Sequence, residues 1–398
     1  MNTPTIKLKP QRAERLYHPW IYDNEVASSP DGSAGFVDGD IVKIVDSRGR
    51  TLGYGYCNTQ SKIAVRYLTR RFDQPIDSQF WAGKVAAAFQ YRADRYAASG
   101  TPGAYRLIHG EADSMPGLVV DMYGSFAVTQ FLALGLEKWR EDIIAAIRDV
   151  TGCSGIYERS VSVVRQLEGL EGREGVVWGD APPDLLEIYD SGATLLVDIK
   201  NGAKTGLFLD QRENQLAAAR EAKDRDVLNC FSYTGLFSLR AAQCGAKSVT
   251  DVESSTVFNA VNAAQWEKNG YEIPHAIIAD NVFDYLRSLD KANYKTDMIV
   301  LDPPAFTKNR ASRDGAIRGY NEINRTALKM INSGGVLVTC SCSHHLAPEE
   351  FREVVHAAAR DAKRTLKLIQ QRGQPPDHPV QLDVPESEYL KCLIFSVE

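Results

Sequence analysis

Five side chains that could take part in chemistry lie at or near the ends of successive apolar runs in the second half of the chain. They are Asp251, Glu253, Asp280, Asp302 and Cys342. Because parallel strands of an α/β sheet end at one edge, we expect these side chains to line a single crevice. Carboxylates there can accept hydrogen bonds from a ribose and from an amino group, and a thiolate can act as a nucleophile. The pattern therefore predicts an adenosine-containing ligand beside a reactive cysteine.

Alternating apolar strands and helices are predicted around these residues from residue 184 onward. The predicted strands span residues 227–230, 248–252, 276–279, 298–301 and 336–340. The predicted helices span residues 235–244, 255–269 and 321–330, with one more through Tyr285. Continuous apolar strands that alternate with helices are typical of a parallel, doubly wound α/β sheet, because both faces of such a sheet are covered.

The turn after the first predicted strand is a candidate cofactor site. It contains Asn229, Phe231, Tyr233 and Gly235 and leads directly into a helix. This turn has one glycine where dinucleotide-binding turns have three, so it favours a ligand without a pyrophosphate over NAD. An ordinary strand–helix turn would have a similar composition, and the turn alone leaves both interpretations open.

Two carboxylates near the end of the second predicted strand are candidates for binding a ribose. A carboxylate about 20 residues after the turn can accept hydrogen bonds from both ribose hydroxyls. Glu253 is the better candidate because it ends the apolar run, whereas Asp251 lies inside the strand. Asp280, at the end of the third strand, is predicted to bind the exocyclic amine of an adenine. A solvated acid at a strand end would explain each of them equally simply.

Two consecutive prolines follow Asp302 at the end of the fourth predicted strand. They stop the strand and fix the backbone, so Asp302 is expected to face the crevice, although a rigid turn would have the same sequence. Pro303 and Phe306 are expected to contact the substrate. Phe306 or Tyr233 could stack on a base, but an aromatic side chain beside a crevice is as often part of the core. The whole series of strand-end residues resembles class I S-adenosylmethionine methyltransferases that modify nucleobases.

The fifth predicted strand ends with two cysteines, Cys340 and Cys342. A thiolate that adds to C6 of a pyrimidine makes C5 nucleophilic enough to take a methyl group. Cys342 is the preferred nucleophile because it lies beyond the expected strand end, whereas Cys340 is expected to pack in the sheet. A structural role is the usual one for cysteine, which is among the most buried residue types. His344 and His345 are candidate bases, or they only cap the loop.

The first 183 residues are predicted to form two smaller domains. Short β-rich runs separated by Gly, Asp, Asn and Ser indicate an all-β domain over residues 1–71. A mixture of strand and helix patterns indicates an α+β domain over residues 72–183, with its last strand at 156–165 and a closing loop at 169–183. Residues 184–398 are then the α/β domain.

Charge and cysteine content restrict the class of protein. The chain has 398 residues, with 46 Lys+Arg against 51 Asp+Glu, which argues against a wholly polybasic binder. Residues 1–70 contain ten Lys/Arg and seven Asp/Glu, so this part alone is positive. Seven cysteines without regular spacing do not describe a disulfide framework, and no apolar leader or membrane-length run is present. We expect a cytoplasmic protein that does not enter membranes.

The whole chain resembles the large-subunit ribosomal RNA methyltransferase I family, which makes 5-methylcytosine in large-subunit rRNA. The resemblance is carried by segments along the full length: His18-Pro19-Trp20-Ile21, Tyr105-Arg106-Leu107-Ile108, Gly110-Glu111-Ala112-Asp113, Pro116-Gly117, 204–212, 229–235, Asp302-Pro303-Pro304, Ser341-Cys342-Ser343 and Asp377-His378-Pro379. It implies an N-terminal PUA domain, an RNA-docking module, followed by a central domain and a class I methyltransferase domain.

The resemblance also implies roles for individual residues. It makes Cys342 the single nucleophile, with S-adenosylmethionine as cofactor. Asp302, which is expected to lie opposite the Ser-Cys-Ser loop, is the predicted catalytic partner, and no metal is expected. Phe208, Asp210 and Gln211 join the residues expected to bind the cofactor. Arg12 and Arg15 are expected to contact rRNA, the expected partner. A homodimer is left open.

Two other functions are compatible with parts of the sequence. Asp302-Pro303-Pro304 with Phe306 also resembles the motif of exocyclic-amine methyltransferases that act on guanine or adenine in rRNA, in which Cys342 would be structural. A non-catalytic RNA-binding or ribosome-assembly factor is a third class, and the complete set of acids at successive strand ends argues against it.

Overall fold

A computed structural model of the chain describes residues 3–10, 17–27, 37–306 and 313–398. The chain forms two compact units. The first is drawn from Met1–Ile188, Val197–Leu207 and Pro376–Ser387, and the second from Tyr189–Leu196, Phe208–Pro375 and Glu388–Glu398. The division into three domains at residues 71 and 183 stays a prediction. No helix of the described residues is both long and apolar enough to cross a membrane.

The first unit begins with a five-stranded sheet. Its strands are β1 (Thr5–Lys7), β2 (Trp20–Tyr22), β3 (Ile41–Val45), β4 (Thr51–Cys57) and β5 (Ile63–Thr69), in the order β1-β3-β4-β5-β2. Residues that alternate along these strands point to one face and form a small core, which includes Ile21, Val42, Ile44 and Val65. The expected all-β character of this segment is confirmed.

A second five-stranded sheet with helices completes most of the first unit. In chain order its elements are α1 (Ser78–Tyr96), β6 (Ala104–His109), β7 (Leu118–Tyr123), β8 (Phe126–Phe131), α2 (Arg140–Thr151), β9 (Gly155–Ser160), α3 (Val163–Leu167) and β10 (Arg173–Gly179). The strand order is β10-β9-β8-β7-β6. Asp77 caps α1 by accepting a hydrogen bond from Phe80 N at 2.9 Å.

Two predictions about this segment were wrong. The strand expected over 156–165 ends at Ser160, and the short helix α3 follows. The loop expected over 169–183 contains β10, which pairs antiparallel with β9. β10 is an edge strand whose side chains are largely exposed, so its sequence needs few apolar residues, and pairing with β9 decides its conformation.

The chain then forms a two-stranded sheet of β11 (Leu186–Asp190) and β12 (Ala193–Val197). The remaining elements, in chain order, are α4 (Arg212–Ala219), β13 (Asp226–Cys230), α5 (Leu236–Gln243), β14 (Ser248–Val252), α6 (Thr256–Asn269), β15 (His275–Ile278), α7 (Val282–Lys291), β16 (Thr296–Leu301), α8 (Arg313–Met330), β17 (Ile331–Ser341), α9 (Pro348–Asp361), β18 (Leu366–Arg372) and β19 (Lys391–Val397).

The second unit is organised around a seven-stranded sheet with the order β15-β14-β13-β16-β17-β19-β18. Strands β13 to β17 pair in parallel, and β19 runs antiparallel to both of its neighbours. The predicted doubly wound sheet is therefore confirmed. The strand order reverses between β13 and β16, and ligands of such sheets bind beyond the carboxyl ends of the strands at this reversal.

Helix α8 is longer than predicted, beginning at Arg313 among the described residues and not near residue 321. Its first turns contain Gly315 and Gly319. Because glycine disfavours helices, the sequence pattern does not predict a helix there. A Cβ atom on Gly319 would lie 3.1 Å from the Phe306 ring. The glycine thus lets the aromatic ring pack closely against the helix.

Candidate active site

The turn between β13 and α5 has an uncommon backbone conformation. Phe231, Tyr233 and Gly235 have φ angles of 60°, 51° and 78°. For a residue with a Cβ atom, such angles cost about 1–3 kcal/mol, and they are concentrated at ligand sites. A hydrogen bond of 2.8 Å from Gly235 N to Ser232 O closes the turn. The surrounding structure therefore holds this backbone in one defined shape at the edge of the sheet.

Gly235 lies directly against helix α6. A Cβ atom at this position would lie 2.3 Å from Oδ1 of Asn262, which is closer than non-bonded atoms approach each other. Only glycine therefore fits here. The close packing at Gly235 is against a side chain of α6.

Aromatic rings surround the turn. Tyr233 makes edge-to-face contacts with Phe208 (5.0 Å between ring centroids) and Phe258 (4.5 Å). Phe231 makes a similar contact with Phe283 at 6.0 Å. Edge-to-face pairs of this kind stabilise ring orientation beyond simple burial. The predicted site residues Phe208, Phe231 and Tyr233 therefore belong to the aromatic surroundings of one turn.

Asp251 is fully buried and is surrounded by hydrogen-bond donors. Its carboxylate accepts hydrogen bonds from Asn229 Nδ2 (2.8 Å), Ser238 Oγ (2.6 Å) and Asn262 Nδ2 (2.9 Å), and pairs with His275 Nε2 (2.8 Å). A carboxylate has about four acceptor positions, and these neighbours use all of them. Asp251 thus ties β13, β15, α5 and α6 together, and Asn229 is part of this network.

Glu253, unlike Asp251, lies beyond the end of its strand and is not enclosed by donors. It follows β14, is partly exposed, and accepts hydrogen bonds from Tyr233 N (3.2 Å), Ser255 N (2.9 Å) and Ser254 Oγ (3.2 Å). Three donors leave about one acceptor position of the carboxylate for another hydroxyl. Glu253 therefore connects the turn to the start of α6 and still has capacity for a ligand.

Asp280 lies at the end of the neighbouring strand. The chain runs there beside Glu253, whose backbone N donates to Ile278 O at 3.1 Å. Asp280 is exposed, and its Oδ1 accepts a hydrogen bond from Asn281 N at 2.7 Å. Acceptors for a ribose hydroxyl and for an amine are thus present at adjacent strand ends.

Asp302 follows β16, next to β13 at the reversal of strand order. Its carboxylate accepts a hydrogen bond from Gln211 Nε2 at 2.8 Å, and Asn214 Nδ2 donates to Oε1 of the same glutamine at 2.7 Å. Asp210 is buried and accepts a hydrogen bond from the Tyr389 hydroxyl at 2.7 Å. The structure therefore brings Gln211 and Asp302 together, although they are far apart in the sequence, and Asp210 lies next to Gln211.

The two cysteines at the end of β17 have different environments. Cys340 is completely buried inside the strand opposite Cys392 on β19. The contact with Cys392 and burial hold the pKa of the Cys340 thiol well above its ordinary value. Cys342 lies beyond the strand end, is partly exposed, and its Sγ is 4.0 Å from Pro303 O. The partly exposed thiol thus lies beside the segment that carries Asp302.

The loop that carries Cys342 is anchored from two sides. The Tyr320 hydroxyl and Ser343 Oγ are hydrogen-bonded at 3.0 Å. Lys391 Nζ donates to Ser343 O at 2.7 Å and to Tyr389 O at 2.8 Å. Lys391 is only 5% exposed, and burial lowers its pKa to about 8, partly offset by the nearby Cys342. The ammonium group therefore lies in the immediate surroundings of the thiol.

Sequence reasoning missed Lys391. The signal that could have identified it is a lysine at the start of the apolar run KCLIFSV near the chain end, since lysine is rarely buried without a partner. Its position opposite Ser341 depends on the pairing of β17 with β19. Local sequence does not reveal that pairing.

The remaining predicted site residues have varied positions. Phe306 packs against Tyr320 (4.6 Å between centroids) and Phe283 (5.7 Å), and Pro303 is buried. His344 and His345 are exposed, and the His344 ring stacks on Tyr389 at 5.2 Å. Arg12 and Arg15 lie outside the described residues. Within the described ranges, no three His, Cys, Asp or Glu side chains are grouped as metal ligands.

Comparisons with protein families identify two segments. Residues 6–70 match the family of PUA-like domains, and residues 174–396 match the family of S-adenosylmethionine-dependent methyltransferases. The second match covers more than half of the chain. The chain therefore combines a PUA-like N-terminal domain with an S-adenosylmethionine-dependent methyltransferase fold, as expected.

Curated relatives extend the similarity along the chain. The chain is 41% identical to the ribosomal RNA large subunit methyltransferase I of Klebsiella pneumoniae (strain 342) over 391 residues, which cover 98% of this chain and 97% of the relative. It is 40% identical to the protein of the same name from Alteromonas mediterranea, with 98% of each chain covered.

Solved structures share the fold at lower sequence identity. A protein from Streptococcus mutans that is described as a candidate S-adenosylmethionine-dependent methyltransferase superposes with a TM-score of 0.82 at 23% identity, covering 98% of this chain and 99% of that chain. A methyltransferase structure in complex with SAH has a TM-score of 0.83 at 22% identity, covering 99% and 100%.

Proposed function

The chain belongs to the ribosomal RNA large subunit methyltransferase I family, and on that premise we propose that it methylates C5 of a cytosine in large-subunit ribosomal RNA. The methyl donor is S-adenosylmethionine, and the reaction passes through a covalent adduct between Cys342 and C6 of the base. The proposal rests on the partly exposed Cys342 thiol beside the Asp302-Pro303 segment, 4.0 Å from Pro303 O.

The cofactor would be held by residues at the carboxyl ends of β13, β14 and β15. Glu253 would accept a ribose hydroxyl with its remaining acceptor position, and Asp280 would accept the adenine amine. The aromatic turn and the segment 208–211 would enclose the rest of the cofactor. The residues expected to do so are Phe231, Tyr233, Gly235, Phe208, Asp210, Gln211 and Asp302, and the buried Asn229 would support the turn through its hydrogen bond to Asp251. When bound, S-adenosylmethionine supplies an electrophilic methyl group on a sulfonium.

The proposed chemistry begins with Cys342. Its thiolate adds to C6 of the cytosine, which places an electron pair on C5, the atom that accepts the methyl group. Asp302 would hold the N3 and N4 edge of the base and share a proton there while the ring gains electron density. A base, for which His344 and His345 are candidates, then removes the C5 proton. The electrons of that C–H bond restore the ring and expel the thiolate.

The surroundings of the two thiols support Cys342 over Cys340 as the nucleophile. A reactive cysteine must be accessible and form a thiolate, and a buried thiol with a raised pKa does neither. Cys340 is such a thiol. Cys342 is partly exposed and lies near the ammonium group of Lys391, whose positive charge favours a thiolate.

The PUA-like domain, with the positive charge of residues 1–70, would provide RNA affinity. Because C5 of a stacked base is inaccessible, the target cytosine has to be unstacked or in a single-stranded region before it reaches Cys342. Phe306 and Pro303 would then contact the base.

RNA that contains 5-fluorocytosine tests this proposal. After methyl transfer, fluorine occupies the position of the proton that the base would remove, so the enzyme should stay attached to the RNA through sulfur. Wild type and Cys340→Ala should form an adduct of reduced mobility on a denaturing gel, and Cys342→Ala should form none. The two variants are a matched pair, because both remove one thiol from the same end of β17.

Each other outcome has a defined meaning. An adduct that persists in Cys342→Ala and disappears in Cys340→Ala would reverse the assignment of the thiols. Methylation of unmodified rRNA by Cys342→Ala, without an adduct in any protein, would favour methylation of an exocyclic amine. Mapping the methylated base in rRNA from cells with and without the gene would then identify the target.

A further inference from the structure

A cavity of about 480 Å³ lies in the first unit, away from the residues described above. Its walls come from the end of β5, from α1 and from the segment around Tyr17. The charged and aromatic lining residues that matter here are Tyr17, Tyr67, Arg70, Arg71, Lys84 and Glu111. The volume is within the range of about 300–1,000 Å³ that is typical of small-ligand sites.

The cavity has an excess of positive charge. Arg70, Arg71 and Lys84 line it, and Glu111 is its one acidic lining residue. Glu111 is already engaged, since it accepts hydrogen bonds from Trp20 Nε1 at 2.7 Å and from Arg66 at 3.3 Å. Among the described residues, neither Arg71 nor Lys84 forms an ion pair with an acidic side chain. An anion between these two cations would satisfy both of them.

The environment of Lys84 supports the same conclusion. Burial lowers the pKa of Lys84, and the positive charge of Arg71 lowers it further. Two cations that repel each other across a cavity are stabilised when a negative group binds between them. A phosphate has the required charge and several acceptor oxygens.

An exposed aromatic ring lies next to these cations. Tyr17 is 64% exposed, and the Arg70 guanidinium lies 5.4 Å from its ring centroid and 4.3 Å from that of Tyr67. Exposed tyrosine rings beside a basic groove are the usual platform on which bases of single-stranded nucleic acids stack. The cavity therefore combines two cations with an exposed aromatic ring.

We propose that this cavity binds one nucleotide of single-stranded RNA, with its phosphate between Arg71 and Lys84 and its base against Tyr17. The inference rests on the proposed function, because it takes RNA as the substrate. The cavity would hold a flanking nucleotide and has no part in methyl transfer. Free inorganic phosphate could bind the same two cations but has no base to stack on Tyr17. The test below distinguishes it from RNA.

The test measures binding of a fluorescein-labelled single-stranded RNA of about 12 nucleotides to the full-length protein by anisotropy, at several salt concentrations. Arg71→Gln and Lys84→Gln should each weaken binding about three- to tenfold and make the salt dependence shallower by about one unit. Tyr17→Ala should weaken binding about fivefold or more with an unchanged salt slope. Lys291→Gln, which removes an exposed lysine at the end of α7 in the second unit, is the matched control and should bind like wild type.

A charge-conserving variant separates binding from folding. Lys84→Arg should retain the wild-type salt slope, and a shallower slope in Lys84→Arg would overturn the phosphate contact. Equal affinities of Arg71→Gln, Lys84→Gln and Lys291→Gln would overturn the proposal. Inorganic phosphate that displaces the RNA at equal ionic strength as effectively as an unlabelled oligonucleotide would reduce the cavity to a phosphate site.

Failure of this proposal and failure of the proposed function are distinguishable. Wild-type protein that methylates unmodified large-subunit rRNA, together with unchanged RNA binding in the cavity variants, would overturn only the cavity proposal. Weakened RNA binding in those variants, together with no methylation of any rRNA by wild type, would support the cavity and overturn only the proposed function.

Discussion

Replacing Gly235 by alanine should destabilise the second unit more than a glycine-to-alanine change normally does. The residue has a φ of 78°, and a Cβ atom there would lie 2.3 Å from Asn262 Oδ1. Alanine in this backbone region costs about 1–2 kcal/mol. Asn262 is buried and donates a hydrogen bond to Asp251 at 2.9 Å, so displacing it also breaks a bond to a buried carboxylate, which adds about 1.5–3 kcal/mol.

The expected loss in free energy of unfolding for Gly235→Ala is therefore about 2.5–5 kcal/mol. Gly270→Ala is the matched control. Gly270 directly follows α6, the helix that carries Asn262, and has a φ of 65°. No atom lies within 4 Å of the position that its Cβ atom would take. Gly270→Ala should cost only the backbone contribution of about 1–2 kcal/mol. Urea unfolding followed by intrinsic fluorescence measures both values, and calorimetry measures S-adenosylmethionine binding.

The difference between the two variants tests the contact and not only the backbone. If Gly235→Ala is no more destabilising than Gly270→Ala, the contact between the turn and Asn262 does not limit this position. Weaker cofactor binding by Gly235→Ala than by Gly270→Ala is also expected, because the turn borders the proposed site. Equal binding would separate the turn from the cofactor.

Three further predictions concern carboxylates and buried cations. Glu253→Ala should weaken S-adenosylmethionine binding about tenfold, or ~1.4 kcal/mol, in calorimetry; unchanged affinity would refute the ribose assignment, and a larger loss in Asp251→Ala would transfer it there. Burial lowers the pKa of Lys391 from 10.5 to about 8, so the unfolded state binds more protons between these values and stability should rise with pH across that window. Lys391→Met should remove this rise in pH-dependent urea unfolding, and an unaltered pH profile would contradict it. Arg240→Met should lower the free energy of unfolding by about 3–5 kcal/mol because it removes the guanidinium group 2.8 Å from the buried Asp190 carboxylate; a loss below about 1 kcal/mol would show that the pair is not stabilised as the geometry indicates.

The sequence by itself determined the strands that carry the candidate site. Apolar runs predicted β13 to β17 because strands covered on both faces need continuous apolar residues. Acidic residues and a cysteine after those runs predicted a crevice at one sheet edge, since parallel strands end on the same side. These inferences depend only on local patterns.

The tertiary structure decided what each residue contacts. Asp251 and Glu253 are two residues apart, and only the packing of α5 and α6 shows that the first is enclosed by donors while the second stays partly exposed. β10 has the composition of a loop. As an edge strand it is stabilised by backbone pairing with β9, and this pairing does not require particular side chains. Lys391 reaches the Cys342 loop through the pairing of β19 with β17, two segments about 50 residues apart, and such long-range pairing depends on the register of the whole sheet and not on neighbouring residues.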